Sequence, residues 1–257
     1  MTKKEQYRAV LAQTTDWDAL LKSESGLPGP RGNLELAEAV YEEIFLHPDP
    51  RMRIDHFLSF SPDVAPENTP EVYLAFCGVV SLAGFLSRRQ NPEQVMQQLR
   101  RYANDPRWRI REAVAIALQY YGDTDMPGML QAVRPWAEGT PYEKRAAAAA
   151  ICEPRLLKDP DCAQGVLEIL DIITQSIPSI QDRKADPFQT LRKGLAYCWS
   201  VAVAARPDPG KKFFEKWVAS PDADIRWIMR ENLKKNRLIK VDPVWVSELA
   251  NLLSKTK

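Results

Sequence analysis

Cysteine is scarce in this chain, and its four copies stand apart. Cys77, Cys152, Cys162 and Cys198 form no CxxC pair and have no histidine close by. The pattern is one of buried free thiols in a reducing cytoplasm. Histidine is scarcer still. His47 and His56 lie in HPDPRMRIDH beside Asp49 and Asp55, at a spacing that fits no tetrahedral site, so no metal is expected. An excess of either charge is also missing. The 35 basic and 34 acidic side chains leave +1, and no bulk field selects nucleic acid or a membrane surface. The longest uncharged run, 72–87, is shorter than the ~20 residues of a membrane span and reads as a core helix. The opening MTKKEQYRAV is a polar helix start rather than a signal peptide, so a cytoplasmic protein with no membrane partner is expected.

Catalytic signatures are absent as well. SGLPGPRGN at 25–33 precedes a helix but lacks the Lys-Ser/Thr ending of a phosphate loop, and its prolines remove N–H donors. It reads as a tight turn joining two helices. The pair Glu42-Glu43 is expected on a solvated helix face, and no nucleophile stands beside a base. No catalytic residue and no cofactor follow from the sequence, and strand patterns are missing.

What is present is repetition. Asp105 to Tyr121, DPRWRIREAVAIALQYY, opens with Asp as a candidate N-cap and Pro at a first helical position. Ile110, Ala113, Val114, Ala117 and Tyr121 then fall on one face at helical spacing. Asp49-Pro50-Arg51-Met52-Arg53-Ile54 matches Asp105 to Ile110 at five of six positions. Asp186-Pro187 with Leu191-Arg192, and Ser220-Pro221 with Ile225-Arg226, repeat the start, and a weaker copy centres on Arg145. The intervals from Arg111 to Arg145, Arg192 and Arg226 are 34, 47 and 34 residues, the period of a stacked array. The 20 prolines against 11 glycines fit many short helices, since several prolines sit at helix starts.

An N-capping Asp, an aliphatic residue five later and an Arg six later resembles the second helix of a HEAT repeat. The resemblance covers roughly residues 33–240 and implies an all-α solenoid of stacked antiparallel helix pairs. It implies a ladder in which Asp105 with Arg111 and Asp186 with Arg192 bond between neighbouring repeats. The ladder is expected to weaken at Arg226, where Ser220 replaces Asp, at Arg145, which has no Asp six before, and at Asp49, where Asp55 replaces Arg. The expected organisation is a single domain over 1–257. Residues 1–32 cap one end through Trp17, Leu20 and Leu21, 33–240 form the repeats, and 241–257 form a final helix with Trp245, Leu249 and Leu252 inward and a Lys-containing tail. Ala146 to Ala150 are expected to allow close helix packing.

A repeat array of this kind specifies a fold rather than an activity. The expected function is a non-catalytic scaffold or adaptor that binds another macromolecule, a protein first, through a concave surface or basic edge. Nucleic-acid binding is the alternative, because some HEAT-like arrays are glycosylases of alkylated DNA bases that use Trp, Asp and Arg. Trp108, Asp105 and Arg109 are the right residue types, without a wider motif. The candidate contact residues are Arg51, Arg53, Arg107 and Arg109, which recur in the first turn of two helices. There they oppose the helix dipole by ~0.3–1 kcal/mol each, which stability alone does not favour. A solvated set balanced by local carboxylates, such as Arg109 with Glu112, is the competing reading.

Overall fold

A computed structural model describes residues 1–255. It is all-helical, with no strand among the described residues. The chain divides into two compact units, Met1–Thr124 and Asp125–Lys257, each with its own core. Unit 1 contains α1 (Lys3–Leu11), α2 (Trp17–Glu24), α3 (Leu34–Glu43), α4 (Pro50–Leu58), α5 (Val72–Ser81), α6 (Ala83–Ser87), α7 (Pro92–Tyr102) and the first part of α8 (Trp108–Val133). Helix α8 is interrupted at Asp125, whose extended backbone and cap to the Gly128 N–H restart it ahead of Pro127. Unit 2 holds the remainder of α8 and then α9 (Pro141–Ile151), α10 (Pro160–Gln175), α11 (Asp186–Ala205), α12 (Pro207–Val218), α13 (Ala223–Leu233), α14 (Asn236–Val241) and α15 (Pro243–Lys255).

In unit 1 short helices start where the sequence offers oxygen acceptors to free N–H groups. Thr2 and Glu5 make a capping box for α1, Asn33 accepts from Leu36 at α3, and Asp49 accepts from Met52 at α4 with Pro50 behind it. The apolar run is a core element as expected, though it splits after Ser81 into α5 and α6, and the span 70–87 is 83% buried. Helix α5 lies against α2, α3 and α4. Gly84 in α6 is required by close approach, since a Cβ there would stand 2.0 Å from the Phe45 ring. Glu42 and Glu43 are not on a solvated face. Lys4 reaches Glu42 at 2.8 Å, and Arg8 reaches Glu42 at 3.1 Å and the buried Glu43 at 3.3 Å, because α1 packs across α3.

Asp105 does a different job from the one its sequence suggests. Helix α8 begins at Trp108, so Asp105 lies before it, and its carboxylate accepts the Arg107 N–H at 2.8 Å. Arg111 does not meet that carboxylate; its Nη1 donates to the carbonyls of Asp105 and Pro106 at 2.7 and 2.9 Å. The turn entering α8 is thus closed by its own arginine, six residues on.

Unit 2 is built around α11, which contacts α9, α10, α12, α13 and α14. Ala146, Ala147, Ala148 and Ala150 are fully buried, and the helices come close enough for the Cys198 thiol of α11 to donate to the Ala148 carbonyl of α9 at 3.4 Å. The fully buried Asn232 joins α13 to α11, accepting from the Ser200 N–H and donating to the Leu195 carbonyl. The cap of α13 is Asp222 rather than Ser220, and Arg226 donates to the Ser220 and Pro221 carbonyls, the arrangement seen at Arg111. Arg192 pairs with Asp224 at 2.8 Å and lies 3.7 Å from the Trp227 ring centroid, while Asp186 accepts from the Tyr142 hydroxyl. In α15 Trp245, Val246 and Leu253 face inward. Leu252 is exposed, because Leu253 keeps the i, i+4 register with half-buried Leu249. The tail expected to reach 257 passes outside the described residues at 256.

Candidate functional site

The four arginines singled out by repetition fall into two pairs with different environments. Arg51 stays at the surface of α4, bonded to Asp55 one turn on at 2.8 Å. Arg53 lies over Trp17, its guanidinium 4.3 Å from the ring centroid, and burial lowers its pKa against the pull of Asp18. Arg107 and Arg109 are 4% and 5% exposed. Arg107 grips Asp105 through two hydrogen bonds of 2.9 and 2.8 Å and spends Nη1 on the carbonyls of Phe60 and Ala65. Arg109 pairs with Glu67, and its Nη2 donates to the Gly29 carbonyl and to Asn68.

No solvated edge of four guanidinium groups is formed. The loop between α4 and α5 lies over the start of α8 and brings carbonyls and a carboxylate that need donors. The dipole penalty at Arg107 and Arg109 is offset by these buried partners. His47 packs edge-on against Trp17 at 5.0 Å, and His56 meets Asp18 at 2.8 Å.

Burial of Arg109 creates something that the repeat pattern did not announce. Its guanidinium lies 4.4 Å from the centroid of the Trp108 ring and holds the indole in place. Trp108 is 43% exposed and forms one wall of a half-open hollow of about 200 Å³. Leu34, Tyr73, Phe76 and Ile116 supply the apolar floor, and Arg31 and Glu112 bring charge. Tyr73 and Phe76 are stacked, with centroids 5.9 Å apart and planes 9° from parallel. The Tyr73 hydroxyl donates to the Asn33 carbonyl, and burial pushes its pKa well above the usual phenol value.

The turn at 25–33 joins α2 to α3 as expected, and it also supplies Arg31 and Gly32 to this hollow. Gly29 in that turn is restricted to glycine, since a Cβ would lie 2.4 Å from the Gly26 carbonyl oxygen. The Arg109 Nε is buried there without a hydrogen-bond partner. The site therefore offers a fixed aromatic face, an apolar floor, the Arg31 cation and the Glu112 carboxylate, with the Arg109 guanidinium already paired to Glu67. It can stack a planar group and steer it; no nucleophile–base pair lines it.

No known protein family matches the chain. No curated protein matches it either. Among solved structures, the crystal structure of an engineered protein aligns with 97% of this chain and 98% of its own at 12% identity, with a TM-score of 0.34, too low to establish a common fold.

Proposed function

We propose that this chain is a non-catalytic adaptor of the HEAT-like solenoid type, and that it holds a partner protein by receiving one planar side chain, aromatic or guanidinium, on Trp108. The observation that carries this reading is the exposure of a tryptophan over an apolar hollow while the buried Arg109 fixes its ring. A rigid aromatic beside a pocket is the composition of an interface anchor, because it contributes area with little ordering cost. The repeat kinship is supported by Arg111 and Arg226, which close the same turn in two places. Peptides selected from a random library on the wild-type protein should carry an aromatic or arginine anchor. They should lose about tenfold or more in affinity on Trp108→Ala, a typical loss for an interface anchor. The variant should keep its melting temperature. Equal affinity for the variant would remove the pocket from the function.

A second reading, nucleic-acid binding by a relative of the alkylated-base glycosylases, has one observation in its favour. Trp108 and Glu112 share the hollow, so a positively charged base would meet both a π-face and a carboxylate. Competition for the pocket by an alkylated, cationic purine nucleoside, but not by the neutral parent, would favour it over the protein-anchor reading.

A further inference from the structure

A second surface lies wholly within unit 2 and is independent of the Trp108 pocket. Unit 1 carries 14 basic and 17 acidic side chains and unit 2 carries 21 and 17, so the near-neutral total conceals a basic second unit. The excess is concentrated. From 232 to 241 the chain reads NLKKNRLIKV, four cations with no carboxylate. Lys234, Lys235, Arg237 and Lys240 line one shallow concavity of about 420 Å³ together with Asn236. Glu231 pairs with Lys234; Lys235, Arg237 and Lys240 have no carboxylate partner among the described residues.

Tyr197 of α11 stands at this surface, 43% exposed. Arg237 donates to its hydroxyl at 2.6 Å, and the guanidinium lies 4.6 Å from the ring centroid. Lys235 approaches the same ring at 5.9 Å. One turn earlier on the same face of α11 is Lys193, exposed and likewise without a carboxylate partner among the described residues. A solubilising charge run would leave its arginine free in water. Here Arg237 is immobilised on an aromatic ring.

We propose that Lys235, Arg237, Lys240 and Tyr197 form a binding surface for single-stranded nucleic acid. The cations take consecutive backbone phosphates, and Tyr197 offers its ring to a base. Arg237 and Lys240 stand three residues apart on α14, about 4.5 Å along its axis, and Lys235 directly precedes the helix as its N-cap residue, so the three cations follow one another along the chain, a row suited to a linear polyanion rather than to one small anion. The exposed ring decides between polyanions. A stacking platform beside a cationic track is what an unpaired strand uses, since every nucleotide brings a base with its phosphate, whereas the Asp and Glu side chains of an acidic peptide carry no ring.

The test is fluorescence anisotropy of the full chain with labelled oligo-dT, oligo-rU, a duplex of the same length and a poly-glutamate peptide, across salt from about 50 to about 200 mM. At least one single strand should bind, and more tightly than the duplex or the peptide; the dT and rU arms distinguish DNA from RNA. Replacing Lys235, Arg237 and Lys240 together by Gln should weaken it by more than tenfold and lower the log–log salt slope by about 2, at ~0.7 per lost phosphate contact. Tyr197→Ala should cost a single strand several-fold while leaving the slope in place. If the triple variant melts early, Lys235→Gln with Lys240→Gln alone, which leaves Arg237 on its ring, should still lower the slope by about 1.4. Absence of binding by either strand, an unchanged slope in the variants, or equal or tighter binding of the duplex or of poly-glutamate would overturn the proposal.

Discussion

Arg107 closes a two-point contact on Asp105, only two residues before it, with both side chains buried. Nη1 of the same guanidinium ties down two carbonyls from the loop between α4 and α5. Removing the arginine side chain would strip a buried carboxylate of its cation and leave two carbonyls without their donor. Arg107→Ala should therefore lower stability by about 3–5 kcal/mol. Arg107→Lys should recover only part of it, because an ammonium cannot reproduce the fork. Urea unfolding midpoints of the two variants check this, and equal midpoints for Arg107→Ala and wild type would show the pair to be idle.

The two turn-closing arginines allow an internal comparison. Arg111 is buried and bonds its carbonyls at 2.7 and 2.9 Å, whereas Arg226 is half-buried with contacts of 3.4 and 3.1 Å. Arg111→Ala should cost about 1.5–3 kcal/mol, in the range of hydrogen bonds to charged groups, and Arg226→Ala less than about 1.5. Thermal melts that rank the two in the opposite order would show that burial does not set their worth.

Gly29→Ala tests the support of the pocket from behind. The added methyl would press on the Gly26 carbonyl and shift the turn whose Gly29 oxygen accepts from Arg109. Loss of stability of about 1–3 kcal/mol is expected, the usual cost of an inserted group that cannot be accommodated. Quenching of Trp108 fluorescence by iodide should rise as its cation is loosened, read against a Trp108→Phe control.

Arg183 and Asp222 give unit 2 a defined acid response. Burial pushes the Asp222 carboxyl up, but the hydrogen bond from Arg183 and the N–H groups of Ile225 and Asp224 outweigh it, so its pKa lies below the usual carboxylate value. The depressed group stabilises the fold above the unfolded pKa of about 3.9, and that contribution is lost as pH falls through the folded pKa. Wild type should lose stability on acidification from about pH 5 to about pH 2. Arg183→Gln should be less stable at neutral pH and lose less over the same range. Parallel pH profiles for the two proteins would rule out the linkage.

Local rules made part of this molecule legible. The caps at Asn33 and Asp49, the buried run at 72–87 and the small-residue face at Ala146–Ala150 follow from neighbours in sequence, and the structure has all of them. The pattern places Arg107 and Arg109 at a surface, and the structure buries them, because Phe60, Ala65, Glu67 and Gly29, which engage them, lie 42 to 80 residues away. No dipole argument reaches such contacts. Asp105 departs from its expected cap for a related reason: a carboxylate before a proline can cap a helix or hold a side chain, and only the packed loop decides. The exposure of Trp108 did leave a trace. It falls outside the stripe of Ile110, Ala113, Val114 and Ala117, which are fully buried. An aromatic residue off the apolar face of a helix is the signal that was there to be used. The break between α13 and α14 had no such trace, because charged residues fill the junction.

The contact between the Cys198 thiol and the Ala148 carbonyl bears on how the two units can be watched in solution. Cys152, like Cys77 in unit 1, is buried, and desolvation pushes both thiols well above their ordinary pKa. A thiolate is the species that reacts with disulfide reagents, so these sulfurs are silent toward them until the helices around them separate. Unit 1 contains one buried cysteine and unit 2 contains three. Mass-resolved modification with time would then count opening events of each half of the chain separately, with no label introduced.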